Sequence, residues 1–185
     1  MEISILLGSI RQERQSHRLA YYLKNQIMSR GENVNLIDFK NYSLPLYGSV
    51  ISEEEVKKVE AIIGMLRSSQ AIIIVTPEYH SNISAALKNV MEYCGIDFVG
   101  KVTGIASTST SRFGGVHASN TLQITLLNIG GYLLPRRLLV PEIHHAFDQD
   151  NEPVRDEIRE QIEKFLNELL SYTNFMKNKV SLTSA

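Results

Sequence analysis

Two serines and an arginine near the start of the chain stand in a short loop where their side chains could bind an anion. Ser9 and Arg11 follow the apolar residues 3–7, and Ser16 stands five residues further on. Hydroxyls, a guanidinium and the free N–H groups at a helix start are groups that bind phosphate in proteins. Two explanations are open: the loop binds a phosphate group, or Ser16 caps a helix and Arg11 is a solvated charge.

A second candidate loop consists of Pro77, Glu78, Tyr79 and His80, which follow another apolar segment at residues 71–75. Pro77 fixes a backbone angle and ends the preceding strand. Tyr79 has a flat apolar face with a polar tip, which suits contact with a planar ligand. This loop is therefore a candidate for one wall of a binding site.

Neither loop carries one of the common glycine-rich phosphate motifs. Residues 8–16 contain no G-x-G-x-x-G and no G-x-x-x-x-G-K-[ST]. The sequence thus supports neither a dinucleotide-binding Rossmann loop nor a P-loop.

Short apolar segments recur along the chain and predict five buried strands. They cover residues 3–7, 34–39, 71–75, 102–106 and 138–140. Apolar residues follow one another in these segments without polar alternation, which is typical of a parallel sheet covered on both faces.

Segments with a helical period lie between and after the strands. They predict helices from Ser16, from Ser52 with a capping box to Glu55, from Ser81 or Asn82 to Tyr93, over residues 116–128, and from about Pro153. Alternation of strands and helices predicts a doubly wound α/β fold. Ligands bind such sheets beyond the carboxyl ends of the strands, which directs attention to the loops after Leu7, Val75 and Ala106.

Composition indicates an ordinary globular protein. Of 185 residues, 43% are hydrophobic and 21% charged, and the net charge is −1, which argues against a nucleic-acid partner. One cysteine, Cys94, and the lack of a signal-like or membrane-length apolar segment predict a cytoplasmic protein. We expect one domain over residues 1–175 and a disordered tail over residues 176–185, which are polar and lack periodicity.

With these loops and elements in place, the sequence resembles the NADPH-dependent FMN reductase family, which includes chromate, quinone and azo reductases. The resemblance rests on Gly8-Ser9-x-Arg11 with Ser16, on Pro77-Glu78-Tyr79-His80, and on Leu87-Lys88-Asn89, in this order. It implies a flavodoxin-like three-layer α/β sandwich, in which a five-stranded parallel sheet of order 2-1-3-4-5 has helices on both faces.

The resemblance also implies the cofactor and the subunit arrangement. FMN is the expected cofactor, and NADPH or NADH the expected electron donor. Ser9, Arg11 and Ser16 look like the FMN phosphate site, while Pro77, Glu78, Tyr79 and His80 look like the wall along the isoalloxazine ring. The helix around Leu87, Asn89 and Met91 is expected to lie at the interface of a homodimer or homotetramer.

The third loop departs from the family pattern. Ser107 and Ser109 are expected near the flavin, but Ser111-Arg112 stands where the family commonly has a first glycine pair, and Gly114-Gly115 retains the second. Arg112 could bind a phosphate of the nicotinamide nucleotide, because guanidinium suits phosphate, or it could be a solvent-facing loop residue.

Other residues have weaker claims to a functional role. Tyr47, which follows Pro45 in a long loop, is either a packing residue or a residue that reaches the site of a partner subunit. His144 and His145 are adjacent rather than spaced for one helix face, so we predict no metal site. Cys94 has no partner cysteine and is expected to be buried.

The resemblance implies an enzyme that passes hydride from NAD(P)H through FMN to a small acceptor in a ping-pong cycle. The acceptor could be a quinone, an azo compound, a free flavin or a metal oxyanion, and no protein side chain need act as an acid or base. Two alternatives are a flavodoxin-like electron carrier that serves protein partners and a flavin-free binding protein. Arg11, Arg14 and the near-neutral charge argue against the carrier, since flavodoxins tend to be strongly acidic.

Overall fold

The computed structural model describes the backbone of residues 1–183 and the side chains of residues 1–178. The strands are β1 (Glu2–Leu7), β2 (Asn33–Asp38), β3 (Ala71–Pro77), β4 (Val102–Thr108), β5 (Tyr132–Leu133) and β6 (Leu138–Val140). The helices are α1 (Ser16–Met28), α2 (Glu53–Ser68), α3 (Ala85–Cys94), α4 (Val116–Asn128), α5 (Ile143–Ala146) and α6 (Asp156–Thr183), and a 3-10 helix covers Gly95–Phe98.

The strands form one parallel sheet in the order β2-β1-β3-β4-β5, and β6 also pairs with β4. This confirms the predicted order 2-1-3-4-5. The strand predicted over residues 138–140 is β6, which pairs with Ala106, Ser107 and Thr108, whereas β5 pairs with Val102 and Thr103 further back along β4. The sequence did not reveal β5 because a two-residue strand is too short to carry a periodic pattern.

Both faces of the central strands are buried, which explains their mainly apolar segments. Along β3, Ile73 and Val75 belong to a core with α1 and α6, whereas Ile72 and Ile74 belong to a second core with α2, α3 and α4. Successive side chains of a strand point to opposite faces, so a strand between two helix layers needs apolar residues at every position.

Helix α3 begins later than the sequence predicted. Residues 79–82 form a tight turn in which Tyr79 and Asn82 exchange backbone hydrogen bonds of 2.9 and 3.0 Å. His80 and Ser81 have φ angles of 50° and 59°, a left-handed conformation that a right-handed helix cannot include. Ser84 then caps α3 by accepting a hydrogen bond from the N–H of Leu87.

The C-terminal helix continues beyond the point where we expected a tail. α6 extends to Thr183, because its apolar face does not stop at Leu169. Thr173 is buried and donates its hydroxyl to the carbonyl of Leu169, and Met176 packs against the core of α1 and α6. Ser184 and Ala185 lie outside the described residues.

Over the described residues, no helix is at once long enough and apolar enough to cross a membrane.

Candidate flavin site

A cavity of about 240 Å³ lies beyond the carboxyl ends of β1, β3 and β4. Seven of the predicted cofactor residues line it: Ser9, Arg11, Ser16, Pro77, Glu78, Tyr79 and Ser109. Glu13, Arg14, Gln15, Thr108, Thr110 and Ile143 complete the lining. The fold therefore brings the first and second candidate loops together at one place, as expected for adjacent parallel strands.

The start of α1 has the features of an anion-binding site. The N-cap residue is Gln15, whose side chain makes no capping hydrogen bond, and the first turn contains no acidic residue. The Ser16 hydroxyl is buried and has no hydrogen-bond partner in the described part of the chain. Ser16 therefore does not cap the helix, and its hydroxyl and the free N–H groups fit a phosphate group.

The loop that contains Ser9 is held by a buried ion pair. Nη1 of Arg14 donates to the carbonyl oxygen of Ser9 and to Oδ1 of Asp38, both at 2.6 Å, and Nη2 pairs with the other carboxylate oxygen of Asp38. Each side chain is only 9% exposed. The pair fixes the position of the loop relative to β2, and Arg14 also lines the cavity.

Tyr79 connects the two candidate loops. Its hydroxyl lies 2.8 Å from Oγ of Ser9, and the guanidinium carbon of Arg11 lies 5.6 Å from the centre of its ring. A cation over an aromatic face is a favourable arrangement, and Arg11 forms no ion pair among residues 1–178. Arg11 is therefore available to an anion that enters the cavity.

Glu78 connects the second loop to helix α4. Its Oε2 accepts hydrogen bonds from the backbone N–H groups of His117 at 2.9 Å and Ala118 at 3.2 Å. The backbone N–H of Glu78 donates to the carbonyl of Thr108. A carboxylate at a helix N-terminus is stabilised by the helix dipole, so Glu78 fixes the wall of the cavity.

Two predicted cofactor residues lie outside the lining of the cavity. His80 is exposed in the turn over residues 79–82. Ser107 is buried, and its hydroxyl donates to the carbonyl of Gly114 at 2.9 Å. A role for either residue in cofactor binding stays a prediction. In the structure, His80 forms part of the tight turn over residues 79–82, and Ser107 holds the loop at Gly114.

The glycine pair in the third loop is required by its backbone. Gly114 and Gly115 have φ angles of 60° and 81°. A Cβ on Gly115 would lie 3.0 Å from Cβ of Ser107, and one on Gly114 would lie 2.9 Å from the carbonyl carbon of Leu139. Only glycine meets both conditions without strain.

Ser111 and Arg112 occupy a part of this loop that is anchored to the end of β6. The Ser111 carbonyl accepts a hydrogen bond from Glu142, and the backbone N–H of Ser109 donates to Val140 at 3.3 Å. Arg112 does not line the flavin-site cavity but a separate one of about 430 Å³.

The side chains of Leu87, Asn89 and Met91, which were expected near a subunit interface, make contacts within their own chain. Leu87 and Met91 are 0% and 4% exposed and pack in the core with α2 and α4. Asn89 binds the Tyr47 N–H and the Pro45 carbonyl, and the Tyr47 ring packs edge-on against Tyr93. Leu87 and Met91 face the core because a helix on a sheet turns its apolar stripe inward, and a subunit interface at the helix around Leu87, Asn89 and Met91 stays a prediction.

Other reactive side chains do not assemble a second kind of centre. In the described part of the chain, no three His, Cys, Asp or Glu side chains come together as metal ligands. Cys94 is buried, and burial raises the pKa of its thiol to about 12. The thiol is therefore protonated at neutral pH and inert.

Arg14 and Asp38 were not identified from the sequence as a site-forming pair. Asp38 ends β2, the neighbour of β1, and Arg14 lies five residues after Ser9. The sequence did contain a signal for this pair, because one charged residue ends β2 and another stands in the loop after β1, and these two strands are adjacent. The bonds of Glu78 to α4 carried no such signal, because the partners are backbone groups about 40 residues away.

A family model and similar curated proteins indicate the same family. The model of the NADPH-dependent FMN reductase family matches residues 1–145. The chain is 25% identical over 178 residues to the NADPH azoreductase of Bacillus sp. (strain OY1-2), covering 96% of this chain and 95% of that protein. It is 23% identical over 180 residues to a quinone reductase of Pseudomonas putida (strain KT2440), covering 92% and 93% of the two chains.

Solved structures agree on the fold. The flavoenzyme NAD(P)H:(acceptor) oxidoreductase FerB from Paracoccus denitrificans has a TM-score of 0.75 at 18% identity and covers 96% of this chain and 97% of its own. At this identity the likeness concerns the fold. Because the family model matches 145 of the 185 residues, the chain belongs to the NADPH-dependent FMN reductase family.

Proposed function

We propose that this protein passes hydride from NAD(P)H to a small acceptor by way of FMN held in the cavity at the ends of β1, β3 and β4. As a member of its family it is an oxidoreductase that works with FMN and NADPH. The observation that carries the assignment to this cavity is the buried, unpartnered Ser16 hydroxyl at the uncapped start of α1. A buried hydroxyl without a partner is costly unless a ligand completes its hydrogen bonds.

Different residues of the cavity bind different parts of FMN. Ser16, the first N–H groups of α1 and Arg11 bind the phosphate, and Ser9 lies next to them. Pro77 and Tyr79 border the isoalloxazine ring, in a loop that Glu78 fixes against α4. Three further residues complete the proposed cofactor site. Ser109 lines the cavity, whereas His80 and Ser107 support the loops around it.

When bound, FMN supplies the redox chemistry by taking up a hydride equivalent and giving it to a second substrate. The protein's part is to hold the ring and exclude side reactions. Donor and acceptor would then bind in turn, which is a ping-pong cycle. The names of relatives, which include an azoreductase, quinone reductases and NAD(P)H-dependent FMN reductases, favour azo compounds, quinones and free flavin over metal oxyanions as acceptors.

The proposal is tested by adding FMN and then NADPH to the purified protein, with and without a quinone. We expect tight FMN binding, rapid bleaching of the flavin by NADPH, and recovery of its colour when the quinone is added. Double-reciprocal plots at several quinone concentrations should be parallel. Slow bleaching with tight binding would instead indicate an electron carrier, and no binding would contradict the assignment of the cavity.

Site variants test the phosphate assignment directly. Ser16→Ala and Arg11→Ala should each weaken FMN binding by about 1 to 3 kcal/mol, the range for a lost hydrogen bond to a charged group. Neither change should weaken riboflavin binding to the same degree, because riboflavin has no phosphate. Ser49→Ala, in an exposed loop, is the matched control. Equal losses for FMN and riboflavin would contradict this assignment.

We also propose that the chain acts as one flavin-binding domain, with α6 as its last helix, in a cytoplasmic homo-oligomer. With Leu87 and Met91 in the core, exposed apolar residues on α4 are better candidates for the interface. Ile124 and Leu127 are 71% and 64% exposed. Light scattering of the wild type and of Ile124→Glu tests this: the variant should have a lower mass, and an unchanged mass would exclude this face.

A further inference from the structure

A second cavity, of about 430 Å³, is lined by four arginines that the flavin site does not use. They are Arg112, Arg136, Arg137 and Arg155, from the third loop, the connection between β5 and β6, and the start of α6. Glu157 is the one acidic residue in this lining, among the described residues. We call this feature the arginine cavity.

Two of the four positive charges have no carboxylate partner. Arg136 pairs with Glu168 at 2.8 Å, and Arg155 lies 3.5 Å from a carboxylate oxygen of Glu142. Arg137 is held by neutral groups, at 3.1 Å from Oγ of Ser119 and 2.6 Å from Oδ1 of Asn120.

Arg112 is exposed, and no ion pair or hydrogen bond holds its side chain within residues 1–178. The buried Nε of Arg155 also has no partner there. Guanidinium groups in one cavity repel each other, and the repulsion is relieved by an anion with several acceptor oxygens. A phosphate monoester has the charge and the oxygens that suit such a set, because guanidinium binds phosphate in a bidentate manner.

The arginine cavity lies beside the flavin site. Ser109 and Ile143 line the flavin-site cavity, while Arg112 and Pro141 line the arginine cavity. These pairs are two or three residues apart in the chain, so the two walls are separated by at most about 10 Å. The Ile143 N–H donates to the Ser109 carbonyl at 3.0 Å, which holds the third loop and the segment after β6 together where both line the flavin-site cavity.

A ligand that reaches from the flavin ring into the arginine cavity must carry a phosphate far from its reacting end. NADPH has this form, since its 2′-phosphate is on the adenosine ribose, across the pyrophosphate from the nicotinamide ring. We propose that the arginine cavity binds the 2′-phosphate of NADPH and makes the enzyme prefer NADPH to NADH, which has a hydroxyl at that position. This inference rests on the proposed hydride transfer from NAD(P)H.

Calorimetric titration with 2′-AMP and 5′-AMP tests the inference without any turnover. We expect 2′-AMP to bind more tightly than 5′-AMP, and Arg112→Ala to weaken 2′-AMP binding roughly 10- to 100-fold, the effect of one charge-assisted hydrogen bond. Lys57→Ala removes the same charge from an exposed position on α2, on the other side of the sheet, and should have no effect. Equal binding of the two nucleotides, or no effect of Arg112→Ala, would overturn the proposal.

Inorganic phosphate is the second probe, because free phosphate shares the chemistry of the 2′-phosphate. Weak competition with 2′-AMP is expected, whereas binding as tight as that of 2′-AMP would assign the cavity to free phosphate and overturn the nucleotide assignment. In steady-state assays, Arg112→Ala should lower the ratio of kcat/KM for NADPH to that for NADH by the factor seen in the titration. A protein that binds 2′-AMP as expected but does not reduce FMN would contradict the proposed function and leave this assignment standing.

Discussion

Oγ of Ser9 lies 2.8 Å from the hydroxyl of Tyr79, and this hydrogen bond joins the first loop of the site to the second across 70 positions of the chain. Ser9 is fully buried, so the contact fixes the tip of the Tyr79 ring against the loop that begins the proposed phosphate site. The guanidinium of Arg11 lies over the same ring. The loop that contains Tyr79 and the loop that contains Ser9 and Arg11 are therefore held in a fixed position relative to each other.

A double-mutant cycle with Ser9→Ala and Tyr79→Phe should measure this coupling. We expect an interaction energy of about 0.5 to 1.5 kcal/mol in urea unfolding of the flavin-free protein, since a single neutral hydrogen bond is removed. Tyr42→Phe combined with Ser9→Ala is a control, because Tyr42 belongs to the core of α2, α3 and α4. Additive effects for Ser9 and Tyr79 would show that the hydrogen bond does not form in solution.

The Arg14 and Asp38 pair should be important for stability as well as for loop position. Arg14→Met leaves the Asp38 carboxylate buried without its partner, and loss of one partner of a buried pair costs about 3 to 5 kcal/mol. Lys58→Met removes an exposed helix pair with Glu54 and should change the free energy of unfolding by less than about 0.5 kcal/mol. Similar values for the two variants in denaturant titrations would be inconsistent with a buried pair.

Stability should fall below neutral pH because of His17. Burial lowers the pKa of His17, although a hydrogen bond to the Arg14 carbonyl acts in the opposite direction. The unfolded chain, with the ordinary value of 6.5, then binds the proton more tightly than the folded chain, so the free energy of unfolding decreases as pH falls through 6.5.

The check is the free energy of unfolding of the wild type and of His17→Gln on both sides of pH 6.5. The decrease should be smaller in His17→Gln, while the exposed His144 serves for a control substitution, His144→Gln. An equal decrease in wild type and His17→Gln would assign the pH dependence to other groups.

Gly115 and Gly48 allow the cost of a left-handed backbone to be separated from the cost of a clash. Both have positive φ, 81° and 89°, but a Cβ on Gly48 meets nothing within 4 Å, whereas one on Gly115 lies 3.0 Å from Ser107 and Thr108. Gly48→Ala should cost about 1 to 2 kcal/mol from conformation alone. Gly115→Ala should cost more and should weaken FMN binding, because Thr108 lines the cavity. Thermal unfolding and flavin titration check both, and equal costs would contradict the close packing at Gly115.

The sequence by itself determined the sheet and the two loops of the site. β3 is marked by an unbroken apolar segment over residues 71–75, because a strand covered on both faces admits few polar side chains. The predicted segments of β1 and β4 each contain one polar residue, the buried Ser4 and Thr103, whereas β2 at the sheet edge is only partly buried. Ser52 and Glu55 formed the predicted capping box, and residues 116–128 formed the predicted helix α4. These features depend on neighbours within a few residues, so their signal is present in the local sequence.

Only the tertiary structure decided which residues line the cavity and what holds them. It turned Leu87 and Met91 into the core, kept His80 and Ser107 out of the lining, and joined Glu78 to the start of α4. It also gathered four arginines into one cavity from segments spread over residues 112–155. Such contacts depend on the packing of helices against the sheet, and the distances that packing creates between remote residues are not encoded in local composition or periodicity.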